Sequence, residues 1–151
     1  MASERWKQVA TLRHNLLELH KAMLDAQRIE YERAYGRIET SGEFLGRVLN
    51  HPEFEWIRAL SALIAQLDEW AEGKQEDDEA ELGHIVEALR GLIRREGGSN
   101  VAFSAKYWKM VNDEPAVTVA HVKTWRQVES AGGHASSSPP ARGGHSDRES
   151  P

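Results

Sequence analysis

Hydrophobic residues recur at helical spacing along most of this chain. In residues 4–35, alternating steps of three and four residues connect Val9, Leu12, Leu16, Leu19, Met23 and Ala26. This spacing keeps them on one stripe of an α-helix. The pattern predicts one long helix that Ser3 caps and Gly36 ends. At 1.5 Å per residue the helix would be about 45 Å long, so it needs packing partners along much of its length.

Two further helices follow. Thr40 and Glu43 have the spacing of a capping box, which predicts a short second helix through Leu49. Pro52 then suits the first position of a third helix, which should run to about Glu72. This third helix has the widest apolar face and is predicted to be the core helix. That face consists of Trp56, Ile57, Leu60, Leu63, Ile64, Leu67, Trp70 and Ala71.

The second half of the chain repeats the helical pattern. Asp78 and Glu81 resemble a second capping box, and a fourth helix should end near Gly97. Its apolar positions are Leu82, Ile85, Val86, Leu89, Leu92 and Ile93. Ser99 is predicted to cap a fifth helix, and Pro115 to open a last one. Their apolar faces hold Phe103, Tyr107 and Met110, and then Val117, Ala120, His121, Thr124 and Val128. The expected fold class is therefore all-α, a bundle of about four main helices with short C-terminal helices.

The composition changes at residue 129. Of the last 23 residues, 13 are Ser, Gly or Pro, and none is Leu, Ile, Val, Met or aromatic. Such a segment cannot offset its ordering entropy by burying apolar surface. We therefore expect a helical domain over residues 1–128 and a disordered tail over residues 129–151.

Composition also excludes several classes of protein. The net charge of −5 argues against binding nucleic acid through bulk charge. There is no apolar run long enough to span a membrane and no apolar signal-peptide core at the N-terminus, so we expect a cytoplasmic protein without a membrane partner. Cysteine is absent, which excludes disulfides and thiol chemistry.

Metal motifs are incomplete. Glu81 and His84 form one E-x-x-H pair, but a diiron bundle needs a second such pair. Two other pairs resemble parts of a hemerythrin site, although both fall on the first helix. They are His14 with Glu18 and His20 with Asp25. Because His14 and His20 are about 240° apart around that helix, they cannot share one ion within a monomer. We therefore predict no metal and no cofactor.

A polar pocket between the first and third helices is a further candidate. Ser61 and Asp68 follow the four-three-four stride of the apolar face of the third helix, so polar groups flank the core. The residues that could converge on a small ligand or a proton-transfer site are His20, Glu30, Arg58, Ser61, Asp68 and His121. The alternative, which we favour, is structural: Arg58 pairs with an acidic neighbour, Ser61 bonds its own helix, and Asp68 lies at the rim. No nucleophile elbow or Ser-His-Asp order supports catalysis.

Five tryptophans are many for a helical domain of 128 residues. Trp56 and Trp70 lie on the core helix and are predicted to be buried. Trp6 lies near the N-terminus, and Trp108 and Trp125 lie off the best apolar lines of their segments. They either form an interface or pack under the terminal segments.

Several short strings together resemble a group of small helical bacterial proteins without an assigned activity. The strings are Leu19-His20-Lys21-Ala22-Met23-Leu24-Asp25, Tyr31-Glu32-Arg33, Phe54-x-Trp56-x-Arg58-x-Leu60-Ser61-x-Leu63-Ile64, Asp68-Glu69, Pro115 and Ala120-His121. The resemblance covers roughly residues 12–128. It implies a compact bacterial helical domain and no particular reaction. It also favours the candidate site residues that lie among the positions of the resemblance.

Two functions remain open from the sequence. The leading expectation is a non-enzymatic module that binds a protein partner or a second copy of itself. The alternative is an enzyme or sensor that holds a metal or small ligand in a polar site between the first and third helices.

Overall fold

A computed structural model describes residues 2–73 and 79–136, and its regular structure in these ranges is entirely helical. The helices are α1 (Ala2–Tyr35), α2 (Ser41–Asn50), α3 (Pro52–Glu55), α4 (Arg58–Glu72), α5 (Glu79–Ile93), α6 (Val101–Asp113) and α7 (Pro115–Ser136). The all-α class is confirmed. The expected number of main helices is not, because five of these seven helices have 13 residues or more. Within the described ranges, no helix combines the length and apolar character needed to cross a bilayer.

Four helices contact one another in a ring. α1 packs against α4 and α7, and α5 closes the ring by packing against both α4 and α7. Helix α1 runs antiparallel to α4, since Arg13 contacts Asp68 and His20 contacts Ser61. α6 packs on α7 and α5, while α2 packs on α3, which contacts α1.

The ring encloses the main hydrophobic core. The whole predicted stripe of α1 is buried in it, together with residues of every helix from α4 to α7. A second cluster lies around the C-terminal end of α1, where Tyr31, Ile38 and Phe54 are buried. Phe44 and Val48 of α2 pack against this second cluster. The long first helix therefore joins two packed regions.

The helix ends follow local chemistry. Gly36 adopts a φ of +105°, a left-handed conformation that favours glycine, and it ends α1 as predicted. The hydroxyl of Thr40 accepts a hydrogen bond of 3.0 Å from the Glu43 backbone N–H, which confirms the predicted cap of α2. The Glu43 carboxylate accepts from the Glu39 N–H rather than from the capping residue itself. Pro52 opens α3, where the His51 ring accepts from the Glu53 N–H at 3.1 Å.

The predicted single third helix is interrupted. A tight turn at Trp56 and Ile57 separates α3 from α4, and the Ile57 N–H donates to the carbonyl three residues back. Both residues keep right-handed helical backbone angles, so hydrophobic spacing does not reveal the break. The turn places Phe54 in the second cluster and Ile57 in the main core.

Other boundaries also differ from the prediction. α1 begins at Ala2, so Ser3 lies inside the helix instead of capping it, and α5 ends at Ile93 rather than near Gly97. Asn100, not Ser99, caps α6, because its side-chain oxygen accepts from the Phe103 N–H at 3.0 Å. α7 does not stop at residue 128 but continues to Ser136, so it includes the first residues of the segment predicted as a tail. Asp78 of the second predicted capping box and residues 137–151 lie outside the described residues.

Two leucines on α1 test this packing. Leu19 is 0% exposed and Leu17 is 42% exposed. We expect Leu19→Ala to lower the free energy of unfolding by about 2–5 kcal/mol, because it removes buried surface and leaves a cavity. The matched Leu17→Ala should cost less than about 1 kcal/mol. Urea denaturation of both variants measures this, and equal losses would contradict the packing of α1.

Candidate functional site

His20 and Ser61 are the two predicted site residues that the structure brings together. The His20 Nε2 and Ser61 Oγ atoms share a hydrogen bond of 2.7 Å across the α1–α4 seam, where both residues are half-buried. Burial lowers the pKa of His20, because desolvation disfavours the charged imidazolium. A neutral imidazole beside a hydroxyl is the arrangement that general-base activation of a serine requires.

The position of Ser61 inside a helix argues for a structural role. Its backbone N–H donates to the Ile57 carbonyl at 3.2 Å, so it is engaged in the helix. Acyl transfer needs free backbone or side-chain donors aimed at a developing oxyanion. The His20–Ser61 pair therefore satisfies two polar groups at a helix seam. The prediction that Ser61 bonds its own helix is replaced by this contact between helices.

Asp68 and Arg58 lie away from that pair. Asp68 forms a salt bridge with Arg13 at the half-exposed rim of the α1–α4 seam. It is two helical turns from Ser61, about 10 Å along the axis. The Arg58 guanidinium is exposed and donates to the Leu49 carbonyl, so it caps the end of α2 instead of pairing with an acid.

His121 belongs to a separate buried cluster between α6 and α7. Its Nδ1 lies 2.5 Å from the hydroxyl of Tyr107, and Trp108 and Trp125 flank its ring. Burial raises the pKa of Tyr107 and lowers the pKa of His121 to about 4. The phenol therefore donates to a neutral imidazole. Sequence reasoning treated Tyr107 only as an apolar marker and missed this bond.

The partial metal motifs do not assemble. Within residues 4–73 and 79–131, no group of three or more His, Cys, Asp or Glu side chains is arranged to hold a metal ion. His14 instead pairs with Glu18 at 3.2 Å, and Asp25 pairs with Lys21 at 2.8 Å. Glu81 and His84 are exposed on α5.

The tryptophans pack against the main core. Trp70 is buried and Trp56 is half-buried. Trp6 lies against Trp70 with ring centroids 5.9 Å apart. Trp108 and Trp125 are half-buried around the His121 cluster. These side chains therefore contribute to packing around the main core.

An open groove of about 500 Å³ lies where the N-terminal part of α1 meets the start of α5 and the end of α7. We call it the α1–α5–α7 groove. Its apolar floor consists of Val9, Leu12, Leu82, Val86 and Ala131. The sequence predicted the first four as core residues and placed Ala131 in the tail, and no spacing signal marks the gap between the helices.

A smaller cavity of about 250 Å³ lies between α1, α3 and α6. We call it the α1–α3–α6 cavity. Glu30 lines it but is exposed and accepts from Arg33 at 3.0 Å. Gln27, which is 7% exposed, also lines it and was missed by the sequence reasoning. The sequence did contain a signal for Gln27, since it lies four residues after Met23 of the buried stripe.

Comparison with known proteins adds no identity. No family model, curated protein or solved structure matches this chain. The resemblance to small helical bacterial proteins therefore stays a prediction, and function is argued from the geometry alone.

Acid titration tests the environment of His121. The ordinary histidine pKa of 6.5 falls to about 4 in the folded protein, so the unfolded chain binds a proton that the folded chain excludes between these values. The free energy of unfolding should therefore decrease as the pH falls from about 6.5 towards 4. His121→Phe should flatten this decrease, whereas substitution of the exposed His84 by Phe should preserve it. Urea denaturation at several pH values measures both slopes, and identical slopes in the parent and His121→Phe would contradict the assignment.

A double-mutant cycle tests the bond across the α1–α4 seam. We expect Ser61→Ala to cost about 1 kcal/mol, because it leaves the His20 ring nitrogen without its partner. In the background of His20→Leu the same substitution should cost less, giving a coupling energy of about 0.5–1.5 kcal/mol. A coupling energy near zero would show that the two side chains do not stabilise each other.

Proposed function

We propose that this protein is a non-enzymatic interaction module that takes one amphipathic helix of a protein partner into the α1–α5–α7 groove. The observation that carries the proposal is the shape and chemistry of that groove, about 500 Å³ of open space over an apolar floor. Apolar grooves between helices receive the apolar face of a partner helix through residues spaced three or four apart.

The floor of the groove is contributed by three helices. Val9 and Leu12 lie one turn apart on α1, and Leu82 and Val86 lie one turn apart on α5. A partner helix lying between these two pairs of residues would contact both. Each of these four residues is at most 7% exposed, so a partner helix would cover only a small part of each, at roughly 25 cal/mol per Å² of apolar area removed from water.

Small residues on α5 leave room for the backbone of a partner. Ala80 and Gly83 both line the groove. A Cβ atom added at Gly83 would meet nothing within 4 Å, so the space above it is open. Close approach of two helices requires small side chains at the contact, and Gly83 meets that requirement.

The rim of the groove supplies charge. Arg5 and Glu79 form a salt bridge of 2.9 Å at one side, and Glu87 lines the groove farther along α5. Arg90 pairs with Glu87 at 3.5 Å, so each of these two carboxylates is matched by an arginine. Rim charges steer association and orientation more than they add affinity.

A second copy of the chain is an alternative occupant. α2 has no buried residue, and Leu45 and Leu49, four residues apart, are each 58% exposed. This exposed pair has the spacing that a groove-binding helix needs. Self-association of this kind would be head-to-tail, because one surface of a copy contacts a different surface of the next.

Two glycine substitutions test the proposal. Gly83→Leu should fill the groove and raise helix propensity, so the variant should fold at least as stably as the parent while losing partner binding at least tenfold. Gly46→Leu is the matched control for peptide binding, because Gly46 is also helical and open but lies on α2, outside the groove. The probe is a displayed library of amphipathic helical peptides selected on the parent protein, with affinities measured by calorimetry.

The outcomes separate the occupants. Peptides that bind the parent and Gly46→Leu but not Gly83→Leu would support the groove. Sedimentation equilibrium of the protein alone identifies a second copy as the occupant if association is lost in Gly83→Leu. Selection of no peptide together with a strict monomer, or binding that Gly83→Leu leaves unchanged, would contradict the proposal.

A further inference from the structure

The α1–α3–α6 cavity has a chemistry different from that of the groove. Its apolar walls come from Ala26, Trp56 and Met110, and its polar walls carry both carboxylates and ammonium groups. No residue lines both this cavity and the α1–α5–α7 groove. The two sites are therefore independent.

A buried glutamine fixes one carboxylate of the cavity in place. The Trp56 indole N–H donates to the Gln27 side-chain carbonyl at 2.9 Å. The Gln27 amide in turn donates to the Glu53 carboxylate at 3.2 Å. Because Gln27 is only 7% exposed and held at both ends, it cannot rotate freely. Glu53 thus presents a pre-oriented negative charge, and a pre-oriented group binds a ligand at lower entropic cost.

The end of α3 creates this arrangement. Glu53 lies in α3 and Trp56 caps that helix with right-handed helical backbone angles, so the two residues keep helical spacing and lie on one face. That face meets Gln27 of α1, where the indole and the carboxylate contact the same amide.

A cation faces the cavity from α6. Lys106 lines the cavity, and in the part of the chain that the structure describes it has no carboxylate within salt-bridge distance. The neighbouring Lys109 is already paired, with its Nζ 2.8 Å from Asp113. Lys106 is thus the ammonium group that is open to an incoming anion.

We propose that the α1–α3–α6 cavity binds a free α-amino acid with an aliphatic side chain. The ligand ammonium pairs with Glu53, the ligand carboxylate pairs with Lys106, and the aliphatic side chain lies against Trp56 and Met110. The volume of about 250 Å³ suits a ligand smaller than a drug-sized molecule.

A simple organic cation fits the cavity less well. Of the other carboxylates on its wall, Asp113 is paired with Lys109 and Glu30 with Arg33, while Glu114 lies at the C-terminal cap of α6. A cation alone would occupy a carboxylate but leave Lys106 without an anion. A zwitterion satisfies Glu53 and Lys106 together, and charge-assisted hydrogen bonds are the stronger ones.

Three probes that share one aliphatic side chain distinguish the ligand classes. L-Leucine carries both charges, 3-methylbutylamine lacks the carboxylate, and 4-methylpentanoate lacks the ammonium group. Calorimetry measures their affinities for the full-length protein. A second readout is the methyl resonance of Met110, one of three methionines in the chain, with the buried Met23 of the main core as an internal reference.

Charge-removing variants complete the experiment. Lys106→Met and Glu53→Gln keep side-chain shape, and each should weaken L-leucine binding about tenfold. Lys7→Met and Glu69→Gln are matched controls at exposed positions outside the cavity and should bind like the parent. Circular dichroism verifies that all four variants keep their helix content.

The result expected is that L-leucine binds and shifts the Met110 methyl resonance, while both single-charge probes bind at least tenfold more weakly. Binding of 3-methylbutylamine equal to that of L-leucine would overturn the zwitterion assignment. Absence of binding by all three probes at about 10 mM, a concentration that detects even a weak dissociation constant, would overturn the site. Binding that neither Lys106→Met nor Glu53→Gln weakens would also overturn it.

Discussion

The burial of one apolar stripe of α1 is the constraint on which the rest of the structure depends. From Val9 to Ala26 every member of the stripe is buried in the main core, and α4 and α7 cover it. The Thr124 hydroxyl also donates to the Asn15 carbonyl at 3.3 Å, which joins α7 to α1 inside the core. A helix of this length cannot bury one face alone, and helices in proteins gain most of their stability from tertiary packing of such a face. Helix α7, the last one within the described residues, therefore covers part of the buried face of α1.

This arrangement also determines where α1 lines open space and where it forms polar contacts with other helices. The N-terminal part of α1 lines the groove with α5 and α7, and its C-terminal part lines the cavity with α3 and α6. Between them, His20 meets Ser61 at the α1–α4 seam. The groove and the cavity therefore lie near opposite ends of α1.

Local signals in the sequence were sufficient to predict most helices but not the contacts of the candidate site residues. Gly36, Thr40 and Pro52 act through their own backbone or side-chain chemistry, so the helix ends that they set could be predicted. The turn at Trp56 depends on contacts with α1 and on the separation of two clusters, which spacing along one helix does not record. The partners of the predicted pocket residues were likewise set by tertiary packing. His121, for example, is on the apolar side of its helix as predicted, but its partner is on α6.

Native-state hydrogen exchange gives the most direct test of the claim that α7 completes the packing of α1. Backbone amides of Leu16 and Leu19 in α1, and of Thr124 and Val128 in α7, should all exchange only through global unfolding. Their free energies of opening should then agree with one another and with the free energy of unfolding from urea denaturation. Exchange of the α7 amides at a clearly lower free energy than those of α1 would show that α7 detaches on its own, and would contradict the account.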